Sequence, residues 1–551
     1  MSMKQIILIF ILYSCMFMSY TQNNYPQNFF QSPIDIKIAI AGTFGELRHN
    51  HFHSGIDIKT RQKENIPIYA AQDGYIARIK VSSRGLGKAL YINHPNGFTT
   101  VYAHLNSFNP EIDKLVKEKH YKLNKNEIDF SFKKDAVRIY KGDLIALSGN
   151  TGSSTGPHLH FEIRDTESQK IINPMLFNLP ILDTSSPIIK AILVYHQNGS
   201  KEIVEVEAIN HNTYQLPSLI NIENPFQLAI NTFDLLDAAP NKNGIYSIEL
   251  YLNGELFHQN IMETFGFYET RYINTHIDYA FFKNNGIKFQ KCFLDSYNEL
   301  STNKKHTNKK IGDSLTNGTH NIKIIIKDSY NNESTLNMDF NYTFHKYPTQ
   351  KLPTNLIYAN QIFEFDTTSC KIYLPSYSLY NDQPFTYQEM KDPKLDYPLY
   401  KILDDSIPSH KKFIISIKAT NLKKELREKI IMVRYEDQKY NYIKSKWSND
   451  QIIGQTNSFG TFTLLVDTIK PVIQYKKIAD NEIAFKIYDE LSGVNNYQGK
   501  IDDKWVLMEY DYKTKIVKHK FEKTHDILNN KFTLQVTDQV NNINEIIIDL
   551  K

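Results

Sequence analysis

Cysteine is the scarcest chemistry in these 551 residues: Cys15, Cys292 and Cys370 are the only three. A disulfide framework is therefore excluded as the source of stability. Cys292 and Cys370 fall in different predicted modules and read as buried free thiols. Tryptophan is nearly as rare, with Trp447 and Trp505 alone, and both read as core residues before they read as sugar-stacking platforms. Charge of either sign is not in excess. The 64 Lys+Arg against 60 Asp+Glu leave a formal net charge of +4, which excludes a dedicated nucleic-acid binder, because phosphate recognition needs a basic surplus or stripe. Long apolar runs are missing too. The stretch Ile6 to Met18, preceded by Lys4 and followed by Ser19-Tyr20-Thr21, is too short to span a bilayer comfortably. It has the order of an export signal over residues 1–21. With no other run of membrane-spanning length, no transmembrane span is expected, and the mature protein is expected in the periplasm or cell envelope, secreted, or lipid-anchored if Leu12-Tyr13-Ser14-Cys15 serves as an acylation site.

What is present is the vocabulary of strands and tight turns. Tyr and Phe number 35 and 32, and they recur with Ile and Thr in short runs separated by Asn-Gly, Asp-Gly and Pro. A length of 551 exceeds what one core supports. Residues 22–182 are dense in Gly, His and alternating runs and read as a compact β domain, interrupted at 106–141 by a charged insertion. Pro110 to Tyr121 predicts a short helix there, and the insertion as a whole a lid or wall. After Leu182 the pattern changes. Asp183-Thr184-Ser185-Ser186-Pro187 returns as Asp467-Thr468-Ile469-Lys470-Pro471, and Asp328 to Asn332 returns as Asp538 to Asn542. These echoes predict related immunoglobulin-like modules at 183–348 and 467–551, with a further β module at 349–466. The fold class is all-β: a small antiparallel sheet domain followed by two or three β-sandwich modules.

The segment His49-Asn50-His51-Phe52-His53-Ser54-Gly55-Ile56-Asp57 carries the first half of a chemical site. Read as an extended chain, it puts His53, Gly55 and Asp57 on one face, so an imidazole and a carboxylate converge with only glycine between them. About a hundred residues on, a Gly-rich loop enters His158-Leu159-His160-Phe161-Glu162-Ile163-Arg164, where His158, His160 and Glu162 share a face. Imidazole and carboxylate are zinc ligands, and a hydrolytic site uses three of them. His53, Asp57 and one of the paired histidines complete such a set. His104, after a strand ending at Tyr102, lies close enough in the pattern to approach without ligating. Glu162 reads either as an acceptor that holds an imidazole tautomer or as an exposed structural residue, and His49 and His51 as solvent-lining.

These blocks, with Pro67-Ile68-Tyr69-Ala70-Ala71-Gln72-Asp73-Gly74, Tyr102-Ala103-His104-Leu105 and Lys141-Gly142-Asp143 between them, resemble in order the lysostaphin-type (LytM-domain) zinc metallopeptidases. The resemblance runs from about Ile38 to Pro174. It implies one Zn²⁺ per chain held by His53, Asp57 and His160, with His104 and His158 as catalytic histidines. It also implies an endopeptidase acting on cross-link or stem peptides of bacterial peptidoglycan. The alternative is a non-catalytic envelope protein that binds wall or activates another hydrolase, as degenerate relatives do; all five chemical positions are present here, which favours the enzyme. The long insertion after His104 departs from the family. The C-terminal modules read as wall anchors, as a platform for an envelope protein partner, or as spacers.

Overall fold

The structure, a computed structural model, describes residues 25–307, 309–346, 353–419, 424–479, 481–521 and 530–550. The expected export signal at 1–21, with Cys15, lies outside them. The fold is all-β. In the N-terminal domain the strands Ile40–Gly42, Ile56–Lys59, His158–Asp165, Phe98–Leu105, Lys88–Asn93, Gly74–Val81 and Ile128–Ser131 follow one another across a single sheet. Every neighbour along that path is antiparallel. Alternation sorts the two faces. Ile56, Ile58, Leu90, Tyr102, Leu159, Phe161 and Ile163 fill one face and are fully buried; each contributes roughly 1.5–3 kcal/mol by leaving water. The polar members of the same strands face the other way.

The 106–141 insertion is a wall built into this sheet. Its helix, Pro110–Leu123, starts where Asn109 accepts a hydrogen bond from the Ile112 amide and Pro110 takes the first turn. It ends two residues beyond the expected limit, where Asn124 adopts a left-handed conformation. Ile112, Val116 and His120 are its buried face. The strand Ile128–Ser131 then pairs with Arg78–Val81 and closes the sheet edge.

Three two-sheet layers follow, with separate apolar cores spanning Ile189 to Tyr342, Ile357 to Leu464 and Ile483 to Leu550. The first carries an excursion with the short helices Ile273–His276 and Tyr279–Asn285, too short to show a helical period in the sequence. Beside it, Phe265 packs on Phe44 and Phe52 at ring centroid distances of 4.9 and 5.6 Å, and Thr270 accepts from the Phe52 amide at 3.0 Å. The last layer folds back onto the N-terminal domain. Asn126 donates to the Tyr497 carbonyl and accepts from the Met508 amide. Lys88 pairs with Glu509 at 2.7 Å, and Arg84 lies over Tyr512 at 4.7 Å. Trp505 is half-buried against Tyr121 of the insertion helix, and Trp447 half-buried under Arg427. Trp447 packs against its module's core from this half-buried position, whereas Trp505 is not the core residue expected, because it faces the insertion helix across the module surface. Cys292 and Cys370 are buried and unpaired. No helix among the described residues is long and apolar enough to cross a membrane.

Candidate active site

His53 and Asp57 meet by a different route from the one expected. His51–Phe52 and Ile56–Lys59 are separate strands, and His53 to Gly55 is a break between them. Glycine is required in that break, since a Cβ on Gly55 would lie 2.4 Å from the Phe161 carbonyl oxygen. The backbone can therefore press onto the neighbouring strand and turn the His53 ring back, bringing Nε2 to 3.0 Å from Asp57 Oδ1. Asp57 stands directly opposite His160 in the adjacent strand, with Oδ1 2.8 Å from Nδ1. The third side of the triangle, His53 Nε2 to His160 Nδ1, is 3.0 Å. All three residues are almost fully buried.

The surroundings decide which atoms face inward. His53 Nδ1 donates to the Thr43 carbonyl at 2.7 Å, which leaves Nε2 as the bare nitrogen. His160 turns Nε2 to Glu162 Oε1 at 3.0 Å, which leaves Nδ1. Arg48 holds Asp57 Oδ2 at 2.5 Å and frees Oδ1. Glu162 is fully buried, accepting from Ser54 Oγ and from Arg164 Nε at 2.6 Å each; burial settles its role as the acceptor behind His160. Period-2 alternation places Arg164 on the Glu162 face and was the signal available for this pair. Nothing in the sequence pointed to Arg48, Thr43 or Ser54.

Burial, the largest influence on His53, lowers its pKa to about 4. For Asp57, burial works upward but is outweighed by His53, His158 and His160, which hold the carboxyl well below its usual range. Burial likewise opposes the charge on His160, yet Asp57 and Glu162 raise it to about 9. Without a metal, His160 thus carries its second proton on Nδ1, facing Asp57 Oδ1 at the point where the three ligand atoms converge. A divalent cation satisfies the same three atoms in its place, and two nitrogens with one carboxylate oxygen are a zinc donor set.

Two further imidazoles stand beside the triangle. His158 donates from Nδ1 to the Gly156 carbonyl at 2.8 Å. Its Nε2 lies 3.3 Å from Asp57 Oδ1, buried and without a hydrogen-bond partner. His104 arrives through a bulge that the sequence pattern did not reveal. Pairing with Lys88–Asn93 slips between Tyr102 and Leu105, both of which point into the core. The extra residue puts Ala103 and His104 together on the site face, with His104 at a φ of 60°, a conformation that costs roughly 1–3 kcal/mol in a non-glycine residue. Its Nδ1 donates to the Thr151 carbonyl at 2.8 Å, and its ring lies 4.8 Å from that of His158 and 5.7 Å from that of His160. Burial first, then His160 and His158, lower it to about 3. His49 and His51 are exposed and stay outside the cluster, as expected; His51 Nδ1 is tied to the His49 carbonyl.

Residues 51–121 and 127–174 match peptidase family M23, and residues 354–467 match a Zu5-like domain. The lysostaphin-type resemblance is thereby shown for the N-terminal domain. The DD-carboxypeptidase/endopeptidase Mpg of Neisseria meningitidis is 32% identical over 146 residues, which is 26% of this chain and 27% of that protein. The peptidoglycan DD-endopeptidase ShyA of Vibrio cholerae is 28% identical over 158 residues, 27% of this chain and 31% of that protein. A zinc-containing peptidase from Vibrio cholerae, a solved structure, is 27% identical with a TM-score of 0.19, over 25% of this chain and 37% of that one. The chain spans about a fifth to two fifths of the length of the curated relatives it matches.

Proposed function

We propose that this chain is an exported zinc-dependent endopeptidase that hydrolyses peptide cross-links or stem peptides of bacterial peptidoglycan. Residues 1–21 would direct export, 22–182 carry the chemistry, and 183–348, 349–466 and 467–551 position it. His53 Nε2, Asp57 Oδ1 and His160 Nδ1 hold one zinc ion. The observation that carries this reading is the convergence of those three bare atoms within 3.0 Å of one another, beside two imidazoles whose Nδ1 atoms are already committed to carbonyls. The relatives named as DD-endopeptidases support the substrate class.

Zinc in a three-ligand site supplies a Lewis acid that acidifies water and polarises a carbonyl. The chain's own residues supply the proton traffic. With Nδ1 donating to Gly156, His158 presents Nε2 as an acceptor that takes a proton from the attacking water. His158 then returns that proton from Nε2 to the leaving amine, while His104, fixed in the same tautomer by Thr151, stands beside it with Nε2 free to orient the water as an acceptor.

The test is incubation of the zinc-loaded protein with cross-linked and uncross-linked muropeptides, beside His158→Ala and Asp57→Ala variants and a chelator control. New fragments from the wild type alone, abolished by chelator, are expected. No fragment from metal-loaded wild type would transfer the reading to a wall-binding or hydrolase-activating protein.

A further inference from the structure

Three aspartates converge at the point where the chain leaves the N-terminal domain. Asp183 opens the first module, Asp234 lies in the strand Gln227–Leu236, and Asp328 follows the strand Gly318–Lys327. One oxygen from each lies within 4.8 Å of the others, the widest separation two oxygens can have on one calcium ion at about 2.4 Å. Asp328 is fully engaged: Oδ1 accepts from the Tyr330 and Asn332 amides and Oδ2 from the Asn332 side chain. The other two are not. Asp234 is 1% exposed, and its Oδ1, like Asp183 Oδ2, is buried without a donor. No cationic side chain among the described residues pairs with any of the three. An uncompensated buried carboxylate costs several kcal/mol.

The same arrangement recurs at Asp467, Asp489 and Asp538, almost bond for bond. Asp538 accepts from the Val540 and Asn542 amides and the Asn542 side chain. Asn542 reaches on to the Asp467 carbonyl as Asn332 reaches to that of Asp183. The two copies differ in one respect. In the last module a loop supplies the missing donors, Ser492 N to Asp467 Oδ2 and Leu491 N and Gly493 N to Asp489 Oδ1. In the first module no such loop is present, and the corresponding carboxylates keep the orphaned oxygens.

We infer that Asp183, Asp234 and Asp328 hold one divalent cation of the calcium class, which does in the first module what backbone amides do in the last. The site lies at a joint. Leu236 and Tyr330, each two residues from a ligand, pack into the N-terminal domain's core, so the cation fixes how that domain is seated on the first module.

The experiment is calorimetric titration of the full-length, zinc-loaded protein with calcium chloride. One calcium ion per chain is expected, with an upward shift in the melting temperature. Asp234→Asn and Asp183→Asn, both near-isosteric, should each weaken binding at least tenfold, while Asp489→Asn leaves it unchanged. Zinc content near one identifies which variants are folded. The inference is overturned if folded wild type takes up no calcium, if both first-module variants bind it like wild type, or if Asp489→Asn is the variant that abolishes it.

Discussion

Glu162 Oε1 lies 3.0 Å from His160 Nε2, and Arg164 and Ser54 pin the carboxylate from its other sides. The contact keeps a proton on Nε2, so that Nδ1 is the nitrogen left to a metal. Glu162→Gln should therefore weaken zinc binding by about 10–100-fold, read by competition against a chelator of known affinity. It also strands the buried Arg164 guanidinium, so the urea midpoint should fall with it; loss of a buried partner costs roughly 3–5 kcal/mol. Unchanged zinc affinity would mean that the strand backbone alone orients His160.

Ligands and the two histidines beside them should separate in mutants. His53→Ala and Asp57→Ala remove corners of the triangle and are expected to lose zinc. His104→Ala and His158→Ala leave all three ligand atoms in place and should keep zinc content near one while kcat falls by roughly 10²–10⁴. Metal analysis beside muropeptide turnover distinguishes the two classes. Zinc loss from His158→Ala would make His158 a ligand, and the proton-transfer role assigned to it would go.

Which of these features the sequence could show follows from their physical nature. Alternation is a local property, so His158, His160, Glu162 and Arg164 were already on one face of a strand before any fold was known. The Asp328 to Asn332 echo at Asp538 to Asn542 was legible for the same reason, since an Asx turn is built within five residues. The bulge at His104 was not, because a one-residue slip depends on the partner strand Lys88–Asn93. Nor was the break at Gly55, whose cause is the Phe161 carbonyl a hundred residues away. The helices at 273–285 and the return of the last module onto Asn126 and Lys88 are tertiary events with no periodic trace. The site's chemistry and the Glu162–Arg164 support on its own strand were therefore readable, and the support from other segments was not.

Acid should destabilise the fold well above the carboxylate range. His94, His258 and His276 are buried neutral, and burial lowers them to about 4, 3 and 4 from 6.5. The unfolded chain protonates these rings near pH 6.5 while the folded chain resists. Their contribution is thus complete above pH 6.5 and is lost as pH falls towards 4. At about 1.4 kcal/mol per pH unit, each costs on the order of 2 kcal/mol by pH 5. Urea midpoints at pH 7 and pH 5 measure the sum, and His258→Phe, removing a ring whose two nitrogens have no partner, should shrink the difference. A flat midpoint across that interval contradicts the account.

The last module reaches the loop that holds His104 and His158 through one side chain. Lys513 Nζ donates to the Asn150 and Ser154 carbonyls, in the loop whose Thr151 carbonyl holds His104 and whose Gly156 carbonyl holds His158. Asn150, Thr151, Asp511 and Lys513 line one side of a cleft of about 690 Å³, so the turn carrying Lys513 acts either as a brace for the loop or as a cap on its approach. The bond pattern favours the brace, because the ammonium contacts backbone carbonyls and leaves the histidine rings free. Lys513→Met should then lower kcat by about 3–10-fold, the equivalent of roughly 1 kcal/mol of lost positioning, with zinc content unchanged. A cap predicts the opposite sign. If turnover rises in Lys513→Met, the turn obstructs substrate, and the closed arrangement of the chain is a restraint on the enzyme.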